Sequence, residues 1–286
     1  MTQLDNDPVR RSTVLTRAYA RIPEGQVHYV TAGSGAPLLL VHETPRSWVS
    51  YARIIPYLAD SHRVIAMDTL GFGNSDAPPD RYAIADYAQS VVQFLDTMGI
   101  SRTSVLGDHT GALISIELAV RAHERVDRLI LSGLPFFLST EERLKRLEAV
   151  MARDLVTPSA DGSHLTQIWN HLLTSRIPGG RSAVTSDDLE LLSGLMIDVL
   201  KSAPSSKQME RAVFEYDAVP RLPQIKAPTL VVGVTGEGSS GYTKRSKEVG
   251  ERVPHSRVHV FEGVDGRLNH THTKEFSDVV REFLAS

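Results

Sequence analysis

The chain contains no cysteine. That excludes disulfides, thiolate nucleophiles and cysteine-ligated metals. It also has no apolar run near the roughly 20 residues needed to span a bilayer. Residues 1–11 are polar and carry Asp5, Asp7, Arg10 and Arg11, without the apolar stretch of a signal peptide. A cytoplasmic protein is therefore expected. Neither sign of charge dominates: 31 Lys and Arg stand against 34 Asp and Glu, a formal charge of -3. Nothing in that balance points to nucleic acid or to an anionic membrane as a partner. The spacings of a dinucleotide loop, a phosphate loop and a His-Glu-x-x-His zinc helix are also missing. No cofactor and no metal is expected.

What is there is ordinary globular material, 286 residues of which 41% are hydrophobic. A chain of that length buries roughly 75% of its unfolded surface. Strand patterns alternate with helical ones. Val27–Gly33 and Pro37–Glu43 read as a hairpin joined at Gly33-Ser34-Gly35, and Arg63–Met67, Thr103–Gly107 and Val126–Ser132 read as further strands. Trp48–Ala59, Tyr82–Met98 and His109–Ala122 carry helical spacing. From Ser139 to about Tyr216 no strand pattern occurs. The rhythm resumes with Pro228–Val234, a helix near Tyr242–Arg252, the strand Arg257–Phe261 and a terminal helix Thr273–Leu284. This order predicts an α/β fold, a mostly parallel eight-stranded sheet covered by helices. Residues 1–134 and 219–286 form its two parts, and residues 135–218 form a helical cap over the carboxyl ends of the strands, where open α/β sheets place ligands.

Four segments, in order, carry a family resemblance. They are Leu38-Leu39-Leu40-Val41-His42-Glu43-Thr44-Pro45, the run Asp68-Thr69-Leu70-Gly71-Phe72-Gly73-Asn74-Ser75, then Leu106-Gly107-Asp108-His109-Thr110-Gly111-Ala112, and Val258 to Leu284. Together they resemble the α/β-hydrolase family, in its epoxide hydrolase, haloalkane dehalogenase and C–C hydrolase branch. The second run matches the family's D-x-x-G-x-G-x-S loop without departure. The third stands where the family places its nucleophile elbow, a strained strand-to-helix turn that exposes one side chain at a helix N-terminus. The family has Ser, Asp or Cys at the tip; this chain has His109, with Gly107 and Gly111 two residues to either side. A register shifted by one would put Asp108 there, with Thr110 where the turn wants Gly.

Other positions depart as well. Glu43 replaces the Gly of His-Gly-x-Pro. Glu237 lies near the family's acid position, after the strand at Thr229–Gly233. Gly266 stands where the catalytic histidine belongs, with His270 and His272 a few residues later. The resemblance implies an oxyanion hole built from the N–H groups of Thr44 and Thr110. An ionised Glu43 beside that hole repels a developing oxyanion, so pairing with His109 or an acid–base role is expected of it; the alternative is a solvated loop carboxylate. His42, His164 and Trp169 are the expected substrate-binding residues. The helix N-terminus opposes a positive charge on His109, which favours the neutral ring as a general base over a covalent nucleophile.

The leading expectation is an enzyme hydrolysing an ester, lactone, epoxide or C–C bond in a small organic substrate. The catalytic candidates are His109, Glu43, Asp108, Glu237, His270 and His272. The second expectation keeps the fold but changes the chemistry to that of a lyase, decarboxylase, cyclase or isomerase. The third is a non-catalytic small-molecule binding protein. The oligomeric state is left open, with a homodimer as one expectation.

Overall fold

A computed structural model of the chain describes residues 13–137, 139–152, 157–176, 184–236, 245–264 and 268–286. Eight strands form one sheet: β1 (Thr16–Ile22), β2 (Gly25–Ala32), β3 (Pro37–Val41), β4 (Arg63–Met67), β5 (Thr103–Asp108), β6 (Val126–Ser132), β7 (Thr229–Val234) and β8 (Ser256–Phe261). Their spatial order is β1-β2-β4-β3-β5-β6-β7-β8. β2 pairs antiparallel with β1 and β4, and the pairs from β4 through β8 are parallel. The helices are α1 (Ile55–Ala59), α2 (Ile84–Thr97), α3 (Thr110–Arg121), α4 (Thr140–Met151), α5 (Ser163–Arg176), α6 (Ser186–Glu215), α7 (Ser246–Gly250), α8 (Leu268–Thr271) and α9 (Thr273–Ala285).

Alternate residues of the central strands feed two cores. Leu39, Val41, Ile65, Met67, Val105 and Leu131 pack with Tyr87, Phe94 and Leu113 of α2 and α3. Their neighbours Leu38, Leu40, Val64, Ala66, Leu106 and Ile130 pack with Leu58, Phe276 and Val280 of α1 and α9. With both faces covered, these strands read as unbroken apolar runs rather than as an alternation. Burial of each such side chain contributes about 1.5–3 kcal/mol.

The opening hairpin differs from the sequence expectation. It joins β1 to β2, with Ile22 opposite Gly25, whereas β3 lies between β4 and β5. The Gly33–Gly35 turn therefore moves the chain across the sheet instead of folding β2 onto β3. β1 is an edge strand with only Ala20 and Ile22 buried and its arginines outward. Such edges carry charge that blocks pairing with other chains, which also hides them from apolar periodicity. The helix expected at Trp48–Ala59 is split into a 3-10 turn, Trp48–Tyr51, and α1.

Between β6 and β7 the described residues form no strand, and the α-helices there are α4 to α6. α5 and α6 share a small core of Ile168, Leu172, Leu173, Leu192 and Leu195. The far end of α6 joins the main core through Met209, Ala212, Val213 and Phe214. There the fully buried Glu117 of α3 accepts the Tyr216 hydroxyl at 2.8 Å and is paired with Arg121 and, at 3.3 Å, with Arg221.

Candidate active site

One residue separates β5 from α3. His109 takes φ 48° and ψ -108°, outside the regions that an L-residue ordinarily occupies. Close packing imposes the bend. A Cβ on Gly111 would lie 1.9 Å from the Val41 carbonyl oxygen, and one on Gly107 would lie 2.4 Å from the Gly111 oxygen. Side chains at these positions would push α3 off β3 and β5. The His109 N–H donates to the Ser132 carbonyl at 2.9 Å, and its own carbonyl accepts the Ala112 N–H at 3.0 Å. Its Nδ1 lies 3.5 Å from Thr110 Oγ1. Asp108 is the last residue of β5 and pairs with Ser132; the bend itself falls on His109.

Strand order places this bend at a switch point. The chain leaves β3 for β4 on one side and returns as β5 on the other. Open α/β sheets bind ligands at such crevices, outside the carboxyl ends of the strands. Val41 lies opposite Gly107, so Glu43 and His109 each stand two residues beyond the same rung. The first N–H groups of α3, Thr110 and Gly111, have no intrahelical acceptor and begin beside this crevice.

Glu43 is only half-buried, yet it is held by the protein. Its Oε1 accepts the Ser50 hydroxyl at 3.0 Å, and its carbonyl accepts the His42 Nδ1–H at 2.8 Å and the Arg46 N–H at 2.9 Å. Its Oε2 is enclosed and makes no hydrogen bond among the described residues. Burial works against the carboxylate's charge, but Arg46, His270 and more weakly His42 outweigh it and hold the group below its ordinary value. Arg46 and then His270 are the charges that favour the ionised Glu43. Tyr51, on the adjoining 3-10 turn, donates to the Val41 carbonyl at 2.7 Å. Its phenol is pushed well up by burial first, then by the charges of Asp108 and Glu43.

The histidines divide. His270 is buried in α8, and its carbonyl accepts Arg53 Nη1 at 3.1 Å. His272 caps α9, with its Nδ1 2.9 Å from the Thr271 hydroxyl. His42, expected to bind substrate, is buried, with Nδ1 donating to the Glu43 carbonyl at 2.8 Å and Nε2 accepting the Thr69 N–H at 3.0 Å. His164 bonds Ser159 within its own turn, and Trp169 packs on the small core of α5 and α6. Glu237 and Gly266 lie outside the described residues.

The Asp68–Ser75 loop supports the site from below. Asp68, fully buried, contacts His28 Nδ1 at 2.8 Å and accepts the N–H groups of Trp48 at 2.7 Å and Asn74 at 3.0 Å. Gly73, at φ 55°, has no room for a Cβ beside that carboxylate. Sequence reasoning missed Arg46, Ser47, Ser50 and Asp198. Arg46 and Asp198 lie 152 positions apart and meet only in the folded chain. A surface depression of about 370 Å³ lined by Ser61, His62 and Arg281, among others, sits beside the start of β4, at the end of the strands opposite the bend.

A family model described as the alpha/beta hydrolase fold matches residues 36–180. A soluble epoxide hydrolase from a Corynebacterium species is 36% identical over 125 residues, 43% of this chain and 44% of the relative. Haloalkane dehalogenase 2 of Mycobacterium bovis is 35% identical over 129 residues, 45% of each chain. The chain spans under half the length of these curated relatives. The crystal structure of a hydrolase from Pseudomonas aeruginosa superposes with a TM-score of 0.78 at 19% identity, covering 95% of this chain and 99% of that one.

Proposed function

Because the chain belongs to the alpha/beta hydrolase fold family, we propose that it hydrolyses a small organic molecule, an ester, lactone, epoxide or C–C bond, with His109 as general base or nucleophile beneath a cap formed by α4 to α6. The observation that carries this reading is the backbone of His109, held at φ 48° between β5 and α3. A protein keeps a strained bend of this kind where the side chain it presents has work to do.

In the general-base route, a water oxygen bonds to the electrophilic carbon of the substrate while the water's proton passes to the neutral His109 ring. The leaving group then takes a proton from the imidazolium, which restores the base. The N–H groups of Thr44 and Thr110 meet the developing oxyanion. Arg46 favours the ionised Glu43 carboxylate beside them. Glu43 and His270 supply a second acid–base pair, and Asp108 adds charge to the same wall. The route needs no cofactor.

The test is turnover of a panel of p-nitrophenyl esters, lactones, epoxides and C–C bonded diketones by the full chain and by His109→Ala. Turnover that falls at least about a hundredfold in the variant supports the reading. Turnover retained in His109→Ala, or none across the panel, counts against it. The enclosed, unbonded Oε2 of Glu43 favours one second reading, proton-transfer chemistry without hydrolysis. Deuterium uptake into a carbon-acid substrate, without net cleavage, would identify it. Saturable ligand binding with neither reaction would mark a binding protein.

A further inference from the structure

Three distant stretches of chain meet over the carboxyl end of β3. Arg46 and Ser47, in the loop after that strand, both reach Asp198 of α6. Arg46 Nε lies 3.2 Å from Oδ2, and Ser47 Oγ donates to Oδ1 at 2.8 Å. The Arg46 and Asp198 side chains are only 4% and 6% exposed. The same guanidinium is the strongest charge favouring ionised Glu43. Further along α6, Lys201 Nζ donates to Asn74 Oδ1 at 2.6 Å, and Ser205 occupies the space where a Cβ on Gly71 would stand. The stretch from Asp198 to Ser205 therefore rests on both loops that frame the crevice.

We propose that Arg46 is a positioning residue that serves two carboxylates at once, Asp198 on the insertion helix and Glu43 beside the bend, and so ties the seating of α6 to the chemistry at the bend. The proposal rests on the reading of Glu43 as part of the active site. Arg46 is buried in its pair with Asp198, and its own N–H closes the turn onto the Glu43 carbonyl at 2.9 Å, so one residue holds both α6 and the segment that carries Glu43. With α6 seated, Asp198 draws on the guanidinium and fixes its direction; with α6 lifted, its field falls on Glu43 alone. Burial pushes Asp198 up against Arg46 and Ser47, while Arg46 and His270 hold Glu43 down against its own burial. Glu43 is also faced by His270, His42 and Tyr51, and Asp198 by His42. By linkage, whatever seating α6 does to the charge of Glu43, that charge does to the seating of α6.

The experiment uses the full chain carrying carboxyl-labelled glutamate. The Glu43 resonance, identified by its loss in Glu43→Gln, is titrated, and hydrogen exchange over residues 196–205 is followed in the same samples. Neither readout needs turnover, so failure of the hydrolase reading is recognised separately, by the substrate panel. In Asp198→Asn the Glu43 midpoint falls by about half a unit to one unit, and exchange in α6 quickens about tenfold or more. In Arg46→Met the midpoint rises by more than about one unit. Arg46→Lys, which keeps the charge and loses the fork, replaces it if that variant does not fold; its midpoint rises by less, with the same faster exchange. A Glu43 midpoint that stays in place in Asp198→Asn, or α6 exchange that does not quicken, overturns the proposal.

Discussion

Replacing His109 separates the strain of the bend from the chemistry of the ring. Two variants remove the imidazole equally, His109→Ala and His109→Gly, and differ only in what backbone they tolerate. The observed φ of 48° and ψ of -108° cost a residue with a Cβ about 1–3 kcal/mol. Glycine escapes that cost but loses about 0.5–1 kcal/mol of conformational entropy on folding. The glycine variant is therefore expected to be more stable than the alanine variant by up to about 2.5 kcal/mol. In a chain of this size that is a rise in Tm of up to about 4 °C. The assay is thermal unfolding of both variants side by side, with turnover measured on the same samples; both should be inactive. Because neither variant carries the ring, any contact it makes cancels from the comparison. A glycine variant that melts at or below the alanine variant would refute the argument, since the bend would then hold no strain to release.

Two further outcomes follow from the same geometry. Gly111→Ala places a methyl group 1.9 Å from the Val41 carbonyl oxygen, at least about 1 Å inside ordinary contact. It should destabilise the chain by about 3 kcal/mol or more, read as a lowered midpoint in urea; an unchanged midpoint would mean that α3 does not press on β3. The folded Glu43 carboxyl sits below its ordinary 4.5, so the folded chain releases that proton more readily than the unfolded one. Its contribution to stability is complete above about pH 5 and is lost as pH falls through the folded midpoint. Wild type should thus lose more stability than Glu43→Gln between about pH 5 and pH 3, and equal losses would argue against the Arg46 pairing.

Much of the site was legible in the chain because its framework is local. Gly107, His109 and Gly111 are close neighbours in sequence, and their spacing is the bend. Glu43 stands two residues beyond the end of β3. The electrostatic setting of Glu43 was not legible. Arg46 carries no sign of the carboxylates it serves, and Ser50 looks like one more helix residue. The contact of His42 with the Thr69 N–H, from another strand's loop, has no sequence signal either. His270 and His272 look alike in sequence, but burial in α8 brings only His270 to bear on Glu43.

Local patterning suffices for the sheet's central strands, the bend after β5 and the helical stretch between β6 and β7, since apolar periodicity and glycine spacing act over a few residues. It did not determine β1, whose outward arginines mask it, or the order of β2, β3 and β4, which depends on pairing between distant strands. Tertiary structure alone decided which charges meet. A carboxylate's state depends on what lies within a few ångströms in space, and for Glu43 that includes a guanidinium whose other partner is 152 residues along the chain.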